Sequence, residues 1–264
     1  MTLSESALLQ QRLWSADPEA WALYSEPHNR PLFEAVLDAA KVGPGATLLD
    51  VGCGSGLALQ LADQRGAVVS GVDVSPGLLA IAEERIPHAD LRLLDLQQLP
   101  WPDASFDAVT GINAFAFAED PVAAIREAAR VCRAGGRVVV GMFAEPERNE
   151  STAIHEAMTA LSPPTRAAEH EPYALSGPGN LESALAAAGL TIETTGEVPV
   201  DWAYTEVAHA VRGLRGSGGG TRAVEDAGAE AVGAAIEAAL VPFTGADGRV
   251  VMHNLFRWVS AVKA

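Results

Sequence analysis

The feature that most constrains this chain is residues 48–56, where apolar residues run directly into a turn that contains Gly52, Gly54 and Gly56. Glycine has no Cβ, so a buried strand that ends in such a turn can bring its backbone close to a ligand. The helix predicted at residues 57–65 directs its N-terminal N–H groups to the same place. The pattern therefore predicts a nucleotide-type binding site after the first strand.

A second apolar strand, predicted at residues 67–72, ends in Asp73. A carboxylate at such a strand tip can accept hydrogen bonds from both hydroxyls of a ribose. Dinucleotide-binding turns space their glycines so that a helix faces a pyrophosphate, whereas here the glycines alternate and Asp50 precedes them. An acid at position 50 suits a cationic, amine-bearing ligand better than a diphosphate.

The motifs Asp-Val-Gly-Cys-Gly-Ser-Gly and Gly-Val-Asp-Val-Ser resemble the first two motifs of the class I S-adenosylmethionine-dependent methyltransferases. The resemblance continues through a third strand that ends in Asp95 and Leu96, and through the loop after a fourth strand, with Ile112 and Asn113. It implies that Asp95 binds the adenine amino group, that Leu96 packs on the ring, and that the loop lies beside the methionine moiety. The implied contacts to S-adenosylmethionine are Asp50, Gly52, Gly54, Gly56, Asp73, Val74, Asp95, Leu96, Ile112 and Asn113.

The same resemblance implies an α/β fold with a Rossmann-like seven-stranded sheet, parallel except for its last strand and sandwiched by helices. The sixth and seventh strands are predicted at residues 191–198 and 254–261 of one methyltransferase domain that spans residues 1–264. Helices are predicted at residues 204–214 and 223–240, with a flexible glycine-rich link at residues 215–220. Segments 1–40, 145–175 and 201–245 are predicted to cap the carboxyl edge of the sheet, where ligands of such folds bind.

Methyl transfer to a hydroxyl requires in-line positioning and removal of a proton. The candidates for a general base are His155, His170, His209, Asp201 and Tyr204, and the last two are also candidates for the acceptor site. The resemblance also implies that the N-terminal aromatics Trp21 and Tyr24 fold over the cofactor or acceptor, although packing on the core accounts equally well for them.

Composition limits the partners. The net charge is −16 with only 18 Lys and Arg, which argues against a nucleic-acid substrate and favours a small molecule. The N-terminus shows no secretory pattern and no run of about 18 apolar residues occurs, so we expect a soluble, cytoplasmic protein with no membrane partner. The two cysteines, Cys53 and Cys132, form no disulfide framework, and no spacing indicates a metal site.

Two other functions fit the same residues. The domain could bind S-adenosylmethionine without transferring its methyl group, as a cyclase or a regulatory binder, or it could be a nicotinamide-dependent oxidoreductase. No motif identifies the acceptor or the atom that is methylated, and the oligomeric state is left open.

Overall fold

The computed structural model describes residues 3–163 and 172–263, which contain one seven-stranded sheet. Its strands in chain order are β1 (Thr47–Val51), β2 (Val68–Asp73), β3 (Asp90–Leu93), β4 (Phe106–Ile112), β5 (Cys132–Phe143), β6 (Leu190–Tyr204) and β7 (Val250–Lys263). Across the sheet the order is β3-β2-β1-β4-β5-β7-β6. Only β7 runs antiparallel to its neighbours, which confirms the predicted sheet.

The helices are α1 (Glu5–Trp14), α2 (Pro18–Ala20), α3 (Arg30–Ala39), α4 (Leu57–Gln64), α5 (Pro76–Arg85), α6 (Pro121–Val131), α7 (Thr152–Thr159), α8 (Asn180–Ala187), α9 (Val207–Arg215), α10 (Gly218–Ala227) and α11 (Ala229–Leu240). A π-helical turn at Trp21–Ser25 and a 3₁₀ turn at Glu26–Asn29 connect α2 to α3. Further 3₁₀ turns are Phe115–Phe117, Pro146–Arg148 and Val241–Phe243. None of the helices in the described part of the chain has both the length and the apolar character needed to span a bilayer.

Both faces of the sheet are covered, as expected for parallel strands that are buried on both sides. Side chains alternate along a strand, so Leu48 and Leu49 of β1 enter opposite cores. The core around Leu49 contains residues of α6 and α8, and the core around Leu48 contains residues of α3 and α4. Cys53 and Cys132 are both buried and free.

A third core joins α7, α9 and α11 to the ends of β6 and β7, through residues such as Met158, Leu214, Ile236 and Met252. Strands β6 and β7 are both longer than predicted and pair from Leu190 with Lys263 to Tyr204 with Val250. The predicted end of the sixth strand at residue 198 was therefore wrong, because residues 201–204 continue the strand and the helical insertion begins only after Tyr204.

The predicted flexible link at residues 215–220 is also corrected, because Gly218 begins helix α10. Ser217 caps this helix by accepting a hydrogen bond from the Gly220 N–H at 3.1 Å. A Cβ at Gly220 would lie 2.3 Å from the Leu214 carbonyl oxygen, so glycine there permits close packing of α9 and α10. The single helix predicted at residues 223–240 is interrupted at Gly228, whose φ is 87°.

Candidate functional site

A large cavity lies where β1, β2 and β4 end, and most of the site residues predicted from the sequence line it. Nine of the ten predicted cofactor contacts line it, namely Asp50, Gly52, Gly54, Asp73, Val74, Asp95, Leu96, Ile112 and Asn113. The tenth, Gly56, packs α4 against α5, because a Cβ on it would lie 2.8 Å from the Ala82 Cβ.

The glycine turn serves two different purposes. Gly52 and Gly54 have φ values of 75° and 54°, which side chains rarely adopt. A Cβ on Gly52 would lie 2.5 Å from the Ala114 Cβ, so this glycine is required by packing. A Cβ on Gly54 would meet no atom within 4 Å, and Gly54 lines the cavity. Its lack of a side chain keeps that part of the cavity open.

Asp73 connects the glycine turn to the start of α5. Its Oδ2 accepts a hydrogen bond from the Gly54 N–H at 2.8 Å, and its Oδ1 accepts one from the Ser75 N–H at 2.8 Å. Burial raises the pKa of this carboxyl even though these hydrogen bonds oppose the rise. A carboxylate oxygen can accept more than one hydrogen bond, so both oxygens retain capacity for ligand hydroxyls.

Asp50 lies deeper in the cavity wall and is only 3% exposed. Its Oδ1 accepts a hydrogen bond from the Thr110 hydroxyl at 2.7 Å. Burial raises the pKa of Asp50 to about 7, and the charges of Asp73 and Glu26 reinforce the rise against this hydrogen bond. A cation placed beside Asp50 would stabilise its ionised form.

Asp95 anchors the N-terminal helix over the cavity. Its Oδ2 accepts hydrogen bonds from the Ser4 N–H at 3.2 Å and the Ser4 hydroxyl at 2.6 Å, and its Oδ1 accepts one from the Gln97 N–H. Ser4 also caps α1, and Gln11 donates to the Val74 carbonyl at 2.9 Å. Helix α1 therefore covers the tips of β2 and β3, and its Ala7, Gln10 and Trp14 line the cavity.

Glu26 also lines the cavity, although the sequence did not predict it as a site residue. It is 3% exposed, and its Oε1 accepts a hydrogen bond from the Leu57 N–H at 3.2 Å, at the N-terminus of α4. Its Oε2 accepts one from Arg85 Nη1, which also donates to the Ser55 carbonyl at 2.8 Å. No local pattern could reveal this role, because tertiary contact alone brings Glu26 to α4.

The other half of the cavity is walled by aromatic rings, including Phe33, Phe143, Tyr173 and Trp202. The Phe143 ring lies 5.1 Å from the Tyr173 ring and 6.0 Å from the Trp202 ring, measured between centroids. One side of α7 completes the wall, at the helical spacing of Ser151, Ile154, His155 and Met158. This half suits an apolar molecule that contains a ring.

Trp21 is the only one of the four predicted acceptor contacts that lines the cavity, and its ring lies 4.8 Å from that of Trp14. The other three lie outside the cavity lining. Tyr24 stacks on His209, the exposed Asp201 pairs with His253 at 2.9 Å, and Tyr204 is buried 4.5 Å from the His28 ring.

The three histidines nominated as general bases are placed differently. His155 lines the aromatic half of the cavity. His209 lies outside the cavity lining and contacts the Thr205 hydroxyl at 2.9 Å and Glu206 at 3.2 Å. His170 lies outside the described residues. In the described parts of the chain, no group of three or more His, Cys, Asp or Glu is placed to hold a metal ion.

The known proteins that are similar to this chain include methyltransferases. Residues 49–140 match the family model described as a methyltransferase domain. The phosphatidylethanolamine N-methyltransferase of Cereibacter sphaeroides is 35% identical over 120 residues, which are 43% of this chain and 59% of the relative. The 27-O-demethylrifamycin SV methyltransferase of Amycolatopsis mediterranei is 38% identical over 106 residues, 38% of this chain and 39% of the relative.

The chain thus spans less than two thirds of the length of these two curated relatives. Among solved structures, the (4+2)-cyclase SpnF superposes with a TM-score of 0.56 at 22% identity, covering 88% of this chain and 79% of SpnF. That similarity shows the fold alone. Residues 49–140, which contain the glycine turn and strands β2 to β4, are therefore similar to a methyltransferase domain.

Proposed function

We propose that this chain transfers the methyl group of S-adenosylmethionine to a small organic acceptor. The observation that carries the proposal is the division of one cavity into an acid-lined half at the glycine turn and an aromatic half beside it. The first half would hold the cofactor and the second the acceptor. The residues that match the methyltransferase domain include the glycine turn, while the printed names of the curated relatives give unrelated acceptors, a phospholipid and a rifamycin.

The residues of the acid-lined half fit the cofactor. Asp73 would accept the ribose hydroxyls, Asp95 would bind the adenine amino group, and Leu96 would pack on the adenine. Asn113 Oδ1 is buried and has no hydrogen-bond partner among the described residues, so it is available to a ligand N–H group. When bound, S-adenosylmethionine supplies an electrophilic methyl group on a sulfonium.

The aromatic half would orient the acceptor and exclude water around it. In-line orientation of the acceptor atom against the methyl group can supply much of the rate. For a hydroxyl acceptor, His155 would take the proton at an imidazole nitrogen as the oxygen is methylated. The described lining residues include no Lys or Arg, so this cavity favours neutral or cationic acceptors over phosphorylated ones.

The oxidoreductase alternative conflicts with the position of Glu26. Dinucleotide-binding folds place a pyrophosphate at the N-terminus of the helix that follows the glycine turn. Here a buried carboxylate already accepts a hydrogen bond from the Leu57 N–H at that helix end. A pyrophosphate there would meet like charge with little water to screen it.

Binding and product formation test the proposal in turn. Calorimetry should show binding of S-adenosylmethionine and none of NAD. Asp73→Asn should lower the affinity for S-adenosylmethionine about tenfold or more, because a charge-assisted hydrogen bond contributes about 1.5–3 kcal/mol. Asp63→Asn, which changes an aspartate paired with His88 at the surface, is the matched control.

Incubation with a panel of ring-containing alcohols and amines should then release S-adenosylhomocysteine. Binding of the cofactor without release of S-adenosylhomocysteine from any acceptor would favour the cyclase or regulatory alternative. Preferential binding of NAD would overturn the cofactor assignment.

We further propose a cytoplasmic location without a nucleic-acid partner. Two free cysteines suit a reducing compartment. The net charge of −16 disfavours binding to phosphate backbones.

A further inference from the structure

We infer that Glu26 selects a cofactor by charge, binding the sulfonium form in preference to its uncharged thioether product. This inference rests on the proposed use of S-adenosylmethionine. Glu26 lies outside residues 49–140, so the part of the chain that matches the methyltransferase domain does not contain it. The N-terminal segment thus adds a charged residue to the cofactor half of the cavity.

The geometry directs the negative charge of Glu26 toward the ligand. Glu26 lines the cavity, whereas its cationic partner Arg85 is absent from the lining among the described residues. The Glu26 side chain is 4% exposed and that of Arg85 is 22% exposed, so solvent screens the carboxylate little. The pair therefore places its negative end at the cavity and its positive end behind the wall.

The neighbours of Glu26 strengthen this field. Asp50 and Asp73 line the same part of the cavity, and the pKa of Asp50 is raised mainly by burial, with smaller contributions from the charges of Asp73 and then Glu26. A bound cation would relieve the mutual repulsion of these three carboxyl groups, whereas a neutral ligand would leave it in place. Preference for a cation follows from this arrangement.

S-adenosylmethionine and its product S-adenosylhomocysteine differ in the charge on sulfur, which is the charge that the experiment tests. S-adenosylmethionine has a sulfonium, an ammonium and a carboxylate, and S-adenosylhomocysteine has the same groups except that its sulfur is neutral. Their contacts to the ribose and adenine are the same, so a comparison of their affinities isolates the charge at sulfur. Weaker retention of the neutral product would also limit product inhibition.

The experiment measures the dissociation constants of both ligands by calorimetry for the wild type and two variants. Glu26→Gln keeps the size of the side chain and removes its charge. It should weaken S-adenosylmethionine binding on the order of tenfold and S-adenosylhomocysteine binding distinctly less, because Coulomb interactions are strong at a poorly screened site. Glu34→Gln makes the same change at an exposed glutamate paired with Arg30, and should change neither constant.

A purely structural role for Glu26, as a cap of α4, would weaken both ligands equally. An equal loss, or no loss, would therefore overturn the inference while leaving the proposed function intact. If the wild type binds neither ligand, the proposed function fails and the inference falls with it.

Arg85→Gln provides a second test that does not depend on folding of the Glu26 variant. It removes the positive charge behind Glu26, so the ratio of S-adenosylmethionine to S-adenosylhomocysteine affinity should rise above that of the wild type. An unchanged or lower ratio would overturn the inference. Thermal unfolding of each variant verifies that the measured protein is folded.

Discussion

Asp50 is a buried acid whose protonation couples the site to folding. Its pKa is about 7 in the folded protein, against 3.8 for a free side chain. Between these two values the folded protein binds more protons at Asp50 than the unfolded chain does. The stabilisation that this difference provides is complete below about pH 4 and is lost as the pH rises through about 7.

We therefore expect Asp50→Asn to change the pH dependence of the free energy of unfolding. Relative to this variant, the wild type should lose stability as the pH rises from 5 to 7.5, by up to about 1.4 kcal/mol per pH unit. Urea denaturation at several pH values measures the difference, in which the contributions of other titrating groups largely cancel. Parallel curves for the two proteins would show that Asp50 ionises normally.

At the residue scale, the sequence predicted the position of acids whose signal was local, while their contacts to the cofactor stay a prediction. Asp50, Asp73 and Asp95 each follow from a short strand and the turn after it, and all three line the cavity. Glu26 could not be found in this way, because its partners Leu57 and Arg85 lie far along the chain and meet it only in the folded structure.

At the element scale, the two glycines of the turn are required for different reasons, Gly52 for packing and Gly54 for the proposed binding of the cofactor. Gly54→Ala places a methyl group in open space, so we expect a loss of stability of only about 1–2 kcal/mol from the left-handed backbone. The same methyl group occupies space that the proposed cofactor would fill, so affinity for S-adenosylmethionine should fall at least about tenfold. Thermal unfolding and calorimetry on the same sample measure the two effects.

Gly52→Ala is the matched comparison within the same turn. Its Cβ would collide with Ala114, so this variant should unfold at a distinctly lower temperature than Gly54→Ala. Normal cofactor affinity in Gly54→Ala would show that the turn is structural only.

The register of β6 explains why the predicted acceptor contact at Asp201 missed the cavity by one residue. Successive side chains of a strand point to opposite faces, so Trp202 lines the cavity while Asp201 is exposed and pairs with His253. The sequence placed the end of this strand before residue 201, so it contained no information on which face either side chain would occupy.

A pair of adjacent substitutions tests this register. Trp202→Ala should raise the KM for the acceptor about tenfold or more, because a large ring is removed from the proposed acceptor wall. Asp201→Ala should leave acceptor kinetics unchanged. Steady-state kinetics at saturating S-adenosylmethionine make the comparison, and an equal effect of the two substitutions would contradict the placement.

At the scale of the whole molecule, the sheet was predictable and the covering layer was not. Apolar strands and glycine turns alternate regularly through residues 47–143, which predicted the strands, and the resemblance to the methyltransferases implied a sheet that is parallel except for its last strand. The covering helices α1, α7, α9 and α10 have amphipathic sequences that fit many packings. Their positions depend on contacts such as that of Ser4 with Asp95, which the sequence does not encode locally.

The placement of α7 leads to the last prediction, which concerns proton removal from the acceptor. Ser151, Ile154, His155 and Met158 line the cavity together, so His155 is held on the face of a helix that the third core fixes in place. His155→Gln should lower turnover of a hydroxyl acceptor by about 10²–10⁴, with partial recovery at higher pH as the acceptor ionises by itself. Binding of S-adenosylmethionine should be unchanged, since the proposed cofactor site is the other half of the cavity.

His209→Gln is the control for this substitution, because His209 lies outside the cavity lining and contacts Thr205 and Glu206. It should keep turnover within about twofold of the wild type, as expected for a surface substitution remote from the site. If His155→Gln also stays within about tenfold of the wild type, the ring-walled half of the cavity acts by orientation alone. A comparison of two acceptor classes separates the two mechanisms. If His155 is a general base, His155→Gln should slow a hydroxyl acceptor far more than an amine that is uncharged at the assay pH. If the cavity acts by orientation alone, the substitution should affect both acceptors equally little.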